Sequence, residues 1–352
     1  MILSNAFVVL LYINLVLVII LFSLLAFLLI QKVIINRKAA KVEKIKAYLR
    51  PDLFAYLLGN EEALYNRWIN DTPFSIQALE ELLEEAAMML KGEEIGATIS
   101  SLAEERLTAE YKRRLTKRRW STRMNVLYRI EGFHMTSFSP HLWLALAENS
   151  FQTEAEQKEA IRVLASLQSQ ALARDLVDLA PPYSKGLYKD VLRRFNNTYQ
   201  LFFIENYEKL NNVFKQAIIE WMAEKQDYSN IPFIKAQLKQ PHLELRIAAL
   251  KVLYLFGYAE EETDIYPFSS SVHWQERMLF AKLAGAAKKD RFLPQLTKLI
   301  ADENWFVRNA AGEAIQKYAD GTLILQHIVE THRDRYAKDM AAQWLESEGV
   351  TA

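Results

Sequence analysis

Hydrophobic residues follow two patterns along this chain, one continuous and one periodic. The continuous pattern is residues 7–30, FVVLLYINLVLVIILFSLLAFLLI, a run of 24 residues without a charge. As an α-helix it would be ~36 Å long, enough to cross a hydrocarbon core ~30 Å thick. No basic residue precedes the run, it is too long for a signal-peptide core, and no cleavage signature follows it. We therefore predict a transmembrane anchor over residues 1–31.

The orientation of this anchor follows from its flanks. Basic residues stand only after the apolar run: Lys32, Arg37, Lys38, Lys41, Lys44, Lys46 and Arg50. The positive-inside rule then predicts a single span of the cell membrane (plasma or inner membrane). The N-terminus would lie outside and the C-terminal domain in the cytoplasm. The chain has no cysteine, which agrees with a reducing compartment and excludes disulfides and thiolate sites.

Beyond the anchor, apolar residues recur with helical periodicity. The first example is the series Phe74, Ile76, Leu79, Leu82, Leu83, Ala86 and Leu90. Thr72 stands where an N-cap is expected, and Pro73 where the first helical residue is expected. With only ten glycines and nine prolines, the composition favours an all-α protein.

We assign residues 32–119 to a juxtamembrane helical segment. The charged residues of this segment form blocks of alternating sign. The segment 111–123, YKRRLTKRRWSTR, holds seven basic residues and no acid. Its candidate binding residues are Lys112, Arg113, Arg114, Lys117, Arg118 and Arg119. Three interpretations stay open: contact with anionic lipid, contact with an acidic protein, or pairing with the acidic block that precedes the cluster. No RNA-binding motif accompanies it, so we expect no nucleic-acid partner.

Residues 120–352 contain a repeat with a period near 31. Arg308 is preceded at intervals of 31 by Arg277, Arg246 and Lys215. Lys185, Lys158 and Arg123 continue the series upstream and Lys338 downstream, which makes eight units. In each unit the residues three and seven positions after the basic residue are apolar. Pro140, Pro232 and Pro294 each lie 17 residues after a basic residue and open a second apolar stretch. This predicts helical hairpins that stack on their neighbours.

One unit carries a recognisable motif. The segment DENWFVRNAAGEAI, residues 302–315, resembles the HEAT repeats in their short form, in which an acidic residue precedes Val-Arg, alanines and an aliphatic residue. The resemblance implies an α-solenoid of about eight HEAT-like hairpins after the transmembrane helix. It also implies that Arg246, Arg277 and Arg308 hold adjacent repeats in register. Glu276 departs from the pattern, because the family has an aliphatic residue before the arginine.

Signatures of catalysis and cofactor binding are absent from the sequence. It contains no Gly-rich phosphate loop, nucleophile elbow or His-Glu zinc motif, and its six histidines are scattered without the i, i+4 spacing of a helical metal site. We therefore predict no enzyme, cofactor, metal or small-molecule substrate. The seven tryptophans and sixteen tyrosines are interpreted as core residues, since aromatic side chains at helical spacing usually are.

The function expected from these features is that of a membrane-anchored scaffold or adaptor. Its protein partners, an integral membrane protein among them, would bind the solenoid surface. Candidate contact residues on the second helices are Lys235, Lys239 and Lys298. The alternative is an accessory subunit of a membrane-embedded enzyme, such as a polysaccharide-synthesising glycosyltransferase, or of a transporter.

Overall fold

Every regular element in the described part of the chain is helical. The computed structural model describes residues 2–60, 72–258 and 265–349, and over these ranges it contains seventeen α-helices and no strand. The chain divides into two compact units, Met1–Val163 and Leu164–Ala352. The predicted all-α, solenoid-like fold class is confirmed.

The first unit contains the long N-terminal helix and the helices that follow it. They are α1 (Ile2–Leu57), α2 (Pro73–Met89), α3 (Glu93–Leu115), α4 (Trp120–Gly132), α5 (Ser139–Ala147) and α6 (Glu154–Ser166). The unit boundary at Val163 falls within α6. The boundary predicted after residue 31 lies inside α1, which continues without a break from the apolar run to Leu57.

The apolar half of α1 packs against nothing in the described structure. Its large apolar side chains between Leu11 and Ile35 are 47–66% exposed. By length and composition α1 is able to cross a membrane, and it is the one described helix with this property. The second half differs, because Val42, Leu49, Leu53 and Leu57 are buried.

This second half of α1 packs on α2. Leu79, Leu82 and Leu83 of α2 are fully buried, and ion pairs join the two helices beside this core. Lys46 Nζ lies 2.8 Å from Glu85 Oε1, and Arg50 Nη1 lies 2.9 Å from Glu85 Oε2. The predicted start of α2 is confirmed, since the Thr72 hydroxyl accepts a hydrogen bond from the Ser75 amide and Pro73 begins the helix.

The second unit is a succession of short helices. They are α7 (Gln170–Asp178), α8 (Lys185–Arg194), α9 (Asn197–Glu205), α10 (Asn212–Lys225), α11 (Ile231–Gln237), α12 (Leu243–Leu255), α13 (Trp274–Ala287), α14 (Leu293–Leu299), α15 (Trp305–Gln316), α16 (Gly321–Thr331) and α17 (Arg335–Gly349). In this unit α8, α10, α12, α13, α15 and α17 each contact the next member of that series. This stacking is what a helical hairpin that cannot bury its apolar face alone requires.

The eight basic residues of the predicted repeat all lie in first helices. Their helices are α4, α6, α8, α10, α12, α13, α15 and α17. The apolar residues three positions later are fully buried in every unit, from Val126 to Ala341. Pro140, Pro232 and Pro294 stand in the first turns of α5, α11 and α14, where a missing N–H costs nothing. The periodicity therefore marked both helices of these hairpins.

Two units depart from the hairpin pattern. After α12, the described chain has only the 3-10 helix Tyr266–Ser270, with residues 259–264 outside the described ranges. The last unit is described as the single helix α17. The prediction of about eight hairpins thus corresponds to eight first helices, of which six are followed by a described α-helical partner.

Candidate functional site

The arginines of the repeat share one contact with the turn that precedes their helix. In each case Nη1 donates a hydrogen bond to the backbone carbonyl six residues earlier, at 2.5–2.9 Å. The pairs are Arg123 with Lys117, Arg246 with Gln240, Arg277 with Ser271 and Arg308 with Asp302. The guanidinium can make this hydrogen bond and others at the same time, because it carries five N–H donors that point in different fixed directions.

Two of these arginines in the second unit also reach the following helix. Arg246 Nε in α12 donates to Glu276 Oε1 in α13 at 2.6 Å. Arg277 in α13 makes a bidentate pair with Asp302, before α15, at 2.7 and 2.9 Å. Hydrogen bonding to Asp302 raises the pKa of Arg277. Each guanidinium therefore joins its own turn to the next repeat, and the departure at Glu276 supplies the acceptor for Arg246.

The same arrangement occurs once in the first unit. Arg123 Nε in α4 donates to Glu156 Oε1 in α6 at 2.5 Å, and both side chains are buried. Glu156 also accepts a hydrogen bond from the Thr153 amide, which fixes the start of α6. Arg123 was counted as a repeat position by its spacing alone, and the contact is equivalent to those of Arg246 and Arg277.

Arg308 contacts a different partner. Its guanidinium carbon lies 5.1 Å from the ring centroid of Tyr336, in the first turn of α17. Its Nη1 donates to the carbonyls of Asp302 and Glu303, and its buried Nε has no hydrogen-bond partner among the described atoms. A cation–π contact here replaces the carboxylate that the preceding arginines use.

The basic segment 111–123 is divided between two environments. Arg113 and Arg114 pair with Glu110 at 2.6 and 2.7 Å, and Arg114 reaches Glu80 at 2.7 Å. The pairing with the acidic block thus occurs at Arg113 and Arg114. Lys112, Lys117, Arg118 and Arg119 are exposed, and Trp120 beside them is 48% exposed.

Glu80 is the centre of a buried charge network that joins α2, α3 and α4. The carboxylate is 1% exposed and contacts Arg114 at 2.7 Å and Arg129 at 2.5 Å. Burial raises the pKa of Glu80, while the two guanidinium groups oppose that rise. The phenol of Tyr111 is buried beside this network, and burial raises its pKa. One carboxylate that receives two arginines positions three helices.

The three lysines predicted on second helices do not share one environment. Lys235 is half-buried, with its ammonium 5.5 Å from the ring centroid of Tyr258. Lys239 and Lys298 are exposed. These two therefore stay available to a partner, whereas Lys235 already packs on an aromatic ring.

Aromatic side chains stand in the first turns of three successive first helices of the second unit. They are Trp274 in α13, Trp305 in α15 and Tyr336 in α17, which are 31 residues apart, and Trp274 is half-buried. Phe306 stacks on Trp274 with ring centroids 5.4 Å apart, and it meets Trp305 edge-on at 5.3 Å. Trp305 is 48%, Phe306 53% and Tyr336 64% exposed. We call these four residues the aromatic edge.

The aromatic edge was missed by the sequence analysis, which assigned aromatic residues to the core. That interpretation holds for Trp221, which is buried, and is wrong for Trp120, Trp305 and Tyr336. A signal was present, because Trp274, Trp305 and Tyr336 repeat with the same interval of 31 as the arginines. Trp274 and Trp305 lie three residues before a repeat arginine and Tyr336 lies two residues before Lys338, so all three stand in the first turn of their helix.

A cavity of about 310 Å³ lies in the first unit among α3, α4, α5 and the start of α6. His141, Glu148 and Phe151 line it together with Arg123 and Glu156. Arg123 and Glu156 are already bonded to each other. No group of three or more acidic or histidine side chains able to hold a metal ion lies in the part of the chain that the structure describes.

Comparison with known proteins identifies one repeat directly. The HEAT repeat family model matches residues 292–321, which contain α14 and α15. The chain therefore carries a HEAT repeat, and the resemblance deduced from DENWFVRNAAGEAI is confirmed there. The matched repeat pairs the proline-opened α14 with the following α15, one helix out of phase with the hairpins counted from the arginines.

The chain is also similar to a solved structure of low sequence identity. No curated protein matches the chain. Among solved structures, the crystal structure of an engineered protein from the Northeast Structural Genomics Consortium is 12% identical. It covers 89% of this chain and 99% of its own, with a TM-score of 0.34.

Proposed function

We propose that this chain is a membrane-anchored scaffold whose solenoid faces the cytoplasm and holds partner proteins. The observation that carries the proposal is the aromatic edge. Trp305, Phe306 and Tyr336 are exposed in the first turns of two successive first helices, and exposed apolar patches often mark binding sites for proteins. HEAT repeats generally mediate protein–protein interaction, and residues 292–321 of this chain match that family.

The anchoring part of the proposal rests on α1. A helix whose apolar side chains stay exposed over more than twenty residues is favourable in lipid and costly in water. The basic residues from Lys32 to Arg50, all on one side of the apolar run, support the cytoplasmic orientation.

Partner recognition would combine aromatic and basic contacts. Trp and Tyr side chains bury a large area for little loss of conformational entropy, and they are enriched in binding hot spots. Lys239 and Lys298 are included in the proposed surface as exposed cations. A non-catalytic role is part of the proposal, with no cofactor, small-molecule substrate or nucleic acid assigned.

We further propose that Arg246, Arg277 and Arg308 hold neighbouring repeats in register. The bonds from Arg246 to Glu276 and from Arg277 to Asp302 support this role, since each crosses from one repeat to the next. For Arg308 the corresponding contact is the ring of Tyr336.

The experiment that tests the scaffold function uses the full-length protein in its native membranes. Proteins crosslinked to it are captured from wild-type cells and from a variant that carries Trp305→Ser with Phe306→Ser. We expect the variant to lose at least nine-tenths of a specific partner, because two exposed aromatic contacts of ~1–3 kcal/mol each are removed. The control is Leu323→Ser, which removes an apolar side chain of α16 that is 65% exposed and lies outside the aromatic edge. Equal loss in both variants, or retention in both, would contradict the proposal.

A second function, that of an accessory subunit of a membrane-embedded enzyme or transporter, is favoured by the continuity of α1. Because α1 continues into the first unit without a break, a contact made inside the bilayer would also position that unit. Replacement of residues 1–31 by an unrelated transmembrane helix separates the two functions. Capture of the partner survives the replacement if the solenoid binds it and is lost if α1 does.

A further inference from the structure

The turn between α3 and α4 carries an exposed cluster that the fold leaves unused. It consists of Lys117, Arg118, Arg119 and Trp120, which we call the basic tip, and all four side chains are exposed. Arg113 and Arg114, earlier in the same segment, are already paired with Glu110 and Glu80. The basic tip therefore concentrates three cations and one indole at the end of a helical hairpin.

Contacts between α1 and α2 show that these helices run parallel. The ammonium of Lys41 lies 5.4 Å from the ring centroid of Phe74, at the start of α2. Further along both helices, Lys46 pairs with Glu81 at 3.2 Å, and Arg50 pairs with Glu85 at 2.9 Å. The early part of α2 thus lies at the end of this segment that is nearer the apolar half of α1.

Contacts of α3 show that it runs back toward the apolar half of α1. Its first turns line a pocket with Leu57 and Leu58, at the far end of α1. Its last turn brings Arg114 to Glu80, the residue next to the Lys46 partner Glu81.

The return of α4 places the turn at the same end. Arg129 of α4 contacts Glu80 and Glu84 of α2, and Ser100 near the start of α3 donates to the carbonyl of His134 after α4. The hairpin of α3 and α4 therefore has its open end near Leu57 and its basic tip directed toward the apolar half of α1.

The distance from the basic tip to the end of that apolar half is short. The uncharged run ends at Ile30, and exposed apolar residues continue past Lys32 to Ile35. Because Lys32 can extend its ammonium to the headgroups, we place the edge of the hydrocarbon core at Ile35. From Ile35 to Lys46 is ~17 Å along the helix axis at 1.5 Å per residue. Lys117 follows Arg114 by three residues, ~5 Å nearer to the apolar end, which leaves ~12 Å. The headgroup layer is ~5–7 Å thick, and the Debye length at physiological salt is ~8 Å. With the core edge at Ile35, the tip is within electrostatic reach of the bilayer.

We infer that the basic tip docks on the anionic headgroups of the membrane that α1 crosses, an inference that rests on the proposed anchoring. Lys and Arg near such a surface are attracted to its negative potential, and Trp partitions to the headgroup level. The docked tip gives unit 1 a second point of attachment beside α1. This assigns the cluster to lipid, where the sequence had also left open an acidic protein and pairing with the acidic block.

Tethering strengthens this attachment. Because α1 and the α3–α4 hairpin belong to one packed unit, the tip meets the lipid at a fixed distance and pays little further entropy of association. A hairpin turn free in solution with three cations would bind lipid only weakly.

The test uses the full-length protein reconstituted in vesicles of phosphatidylcholine alone or mixed with phosphatidylglycerol. Since the chain has no cysteine, Thr116→Cys and Ser101→Cys each give a single site for a nitroxide label. Both residues are exposed on or next to α3, and Ser101 lies near its opposite end. We expect paramagnetic relaxation to place the label at 116 in the headgroup layer only in the phosphatidylglycerol vesicles. The label at 101 should stay in water in both.

Charge variants supply the matched control. Lys117→Gln removes one cation of the tip, and Lys91→Gln removes one exposed cation from the turn at the other end of α3. With the label at 116, Lys117→Gln should lower the ratio of docked to undocked tip about fivefold, while Lys91→Gln should leave it unchanged. Helical circular dichroism checks that each variant is folded.

The outcomes separate the inference from the anchoring on which it rests. A label at 116 that stays as water-accessible as the label at 101, in protein that resists alkaline extraction, overturns lipid docking and leaves the anchor intact. Protein that washes off the vesicles at alkaline pH overturns both. Equal effects of Lys117→Gln and Lys91→Gln would show general charge attraction and would also overturn docking by the tip.

Discussion

Arg277 and Arg308 occupy equivalent positions in successive first helices, α13 and α15, but contact different partners. Arg277 shares a largely buried bidentate pair with Asp302, whereas Arg308 lies over the ring of Tyr336 and uses a backbone carbonyl at each of two residues. The sequence analysis placed both residues in one class, because the repeat spacing gives the position of each residue in its helix but not the partner that its guanidinium contacts. The difference has a measurable consequence for stability.

Removal of Arg277 should cost more than removal of Arg308. Arg277→Ala leaves the buried carboxylate of Asp302 unpaired, for which we expect a loss of ~3–5 kcal/mol in the free energy of unfolding. Arg308→Ala removes carbonyl hydrogen bonds and one cation–π contact, for which we expect ~1–3 kcal/mol. Urea denaturation followed by tryptophan fluorescence measures both losses.

A lysine variant controls for the loss of charge. Arg277→Lys keeps the charge but not the bidentate geometry, so it should recover only part of the stability.

Partner capture should be unaffected by Arg308→Ala at temperatures well below melting. Equal losses for the two alanine variants would contradict the assignment of Asp302 as the decisive partner.

At the scale of elements, helix boundaries followed from capping and proline chemistry. Thr72 and Pro73 start α2, and Pro140, Pro232 and Pro294 lie in the first turns of their helices. These are local properties of a few adjacent residues, which explains why they were readable without tertiary information. Contacts between helices are different, as Gly285 shows.

Gly285 lies inside α13, where glycine normally weakens a helix. A Cβ at this position would lie 2.7 Å from both Cα and Cβ of Ala314 in α15. The close approach of α13 and α15 therefore depends on the missing side chain, and the neighbour that would clash is partly backbone. Nothing in the sequence around Gly285 announces this requirement.

Gly285→Ala should destabilise the protein, although alanine is the better helix former by ~1 kcal/mol. Overpacking at such a contact typically costs ~1–3 kcal/mol. The control is Gly96→Ala inside α3, where a Cβ would meet no atom within 4 Å, and which should stabilise. Thermal unfolding of the two variants should move the melting temperature in opposite directions. A gain from Gly285→Ala would contradict the described α13–α15 approach.

At the scale of the whole molecule, the chain combines an apolar helix, basic flanks and repeat helices. The apolar run and its flanks lead to one expectation for topology, with the N-terminus outside and the solenoid in the cytoplasm. This arrangement is testable with unusual ease, because no native cysteine interferes with labelling.

In intact cells a membrane-impermeant maleimide should label Ser4→Cys and leave Thr351→Cys unlabelled. Permeabilised cells should show labelling of both, which serves as the control for reactivity. Charge on one flank of a single apolar helix is the physical reason for the asymmetry. The reverse pattern would contradict the cytoplasmic orientation and, with it, the proposed set of partners.

Sequence by itself determined the helical class, the starts of the four helices that have a proline in their first turn, and the repeat interval. These properties depend on the order of neighbouring residues, on hydrophobic periodicity and on cap chemistry, all of which are written along the chain. It also set the apolar length of α1, because a bilayer selects helices by length and composition. The buried residues three positions after each basic residue followed from the same periodicity.

Only the tertiary structure decided which charges are paired and which aromatic residues are exposed. Arg114 is committed to Glu80 while Lys117 is exposed, and Trp221 is buried while Trp305 is not. Such differences arise from residues that lie far apart in sequence and meet through helix packing. The repeat interval marked where Trp305 stands, but its exposure depends on which helices pack beside it.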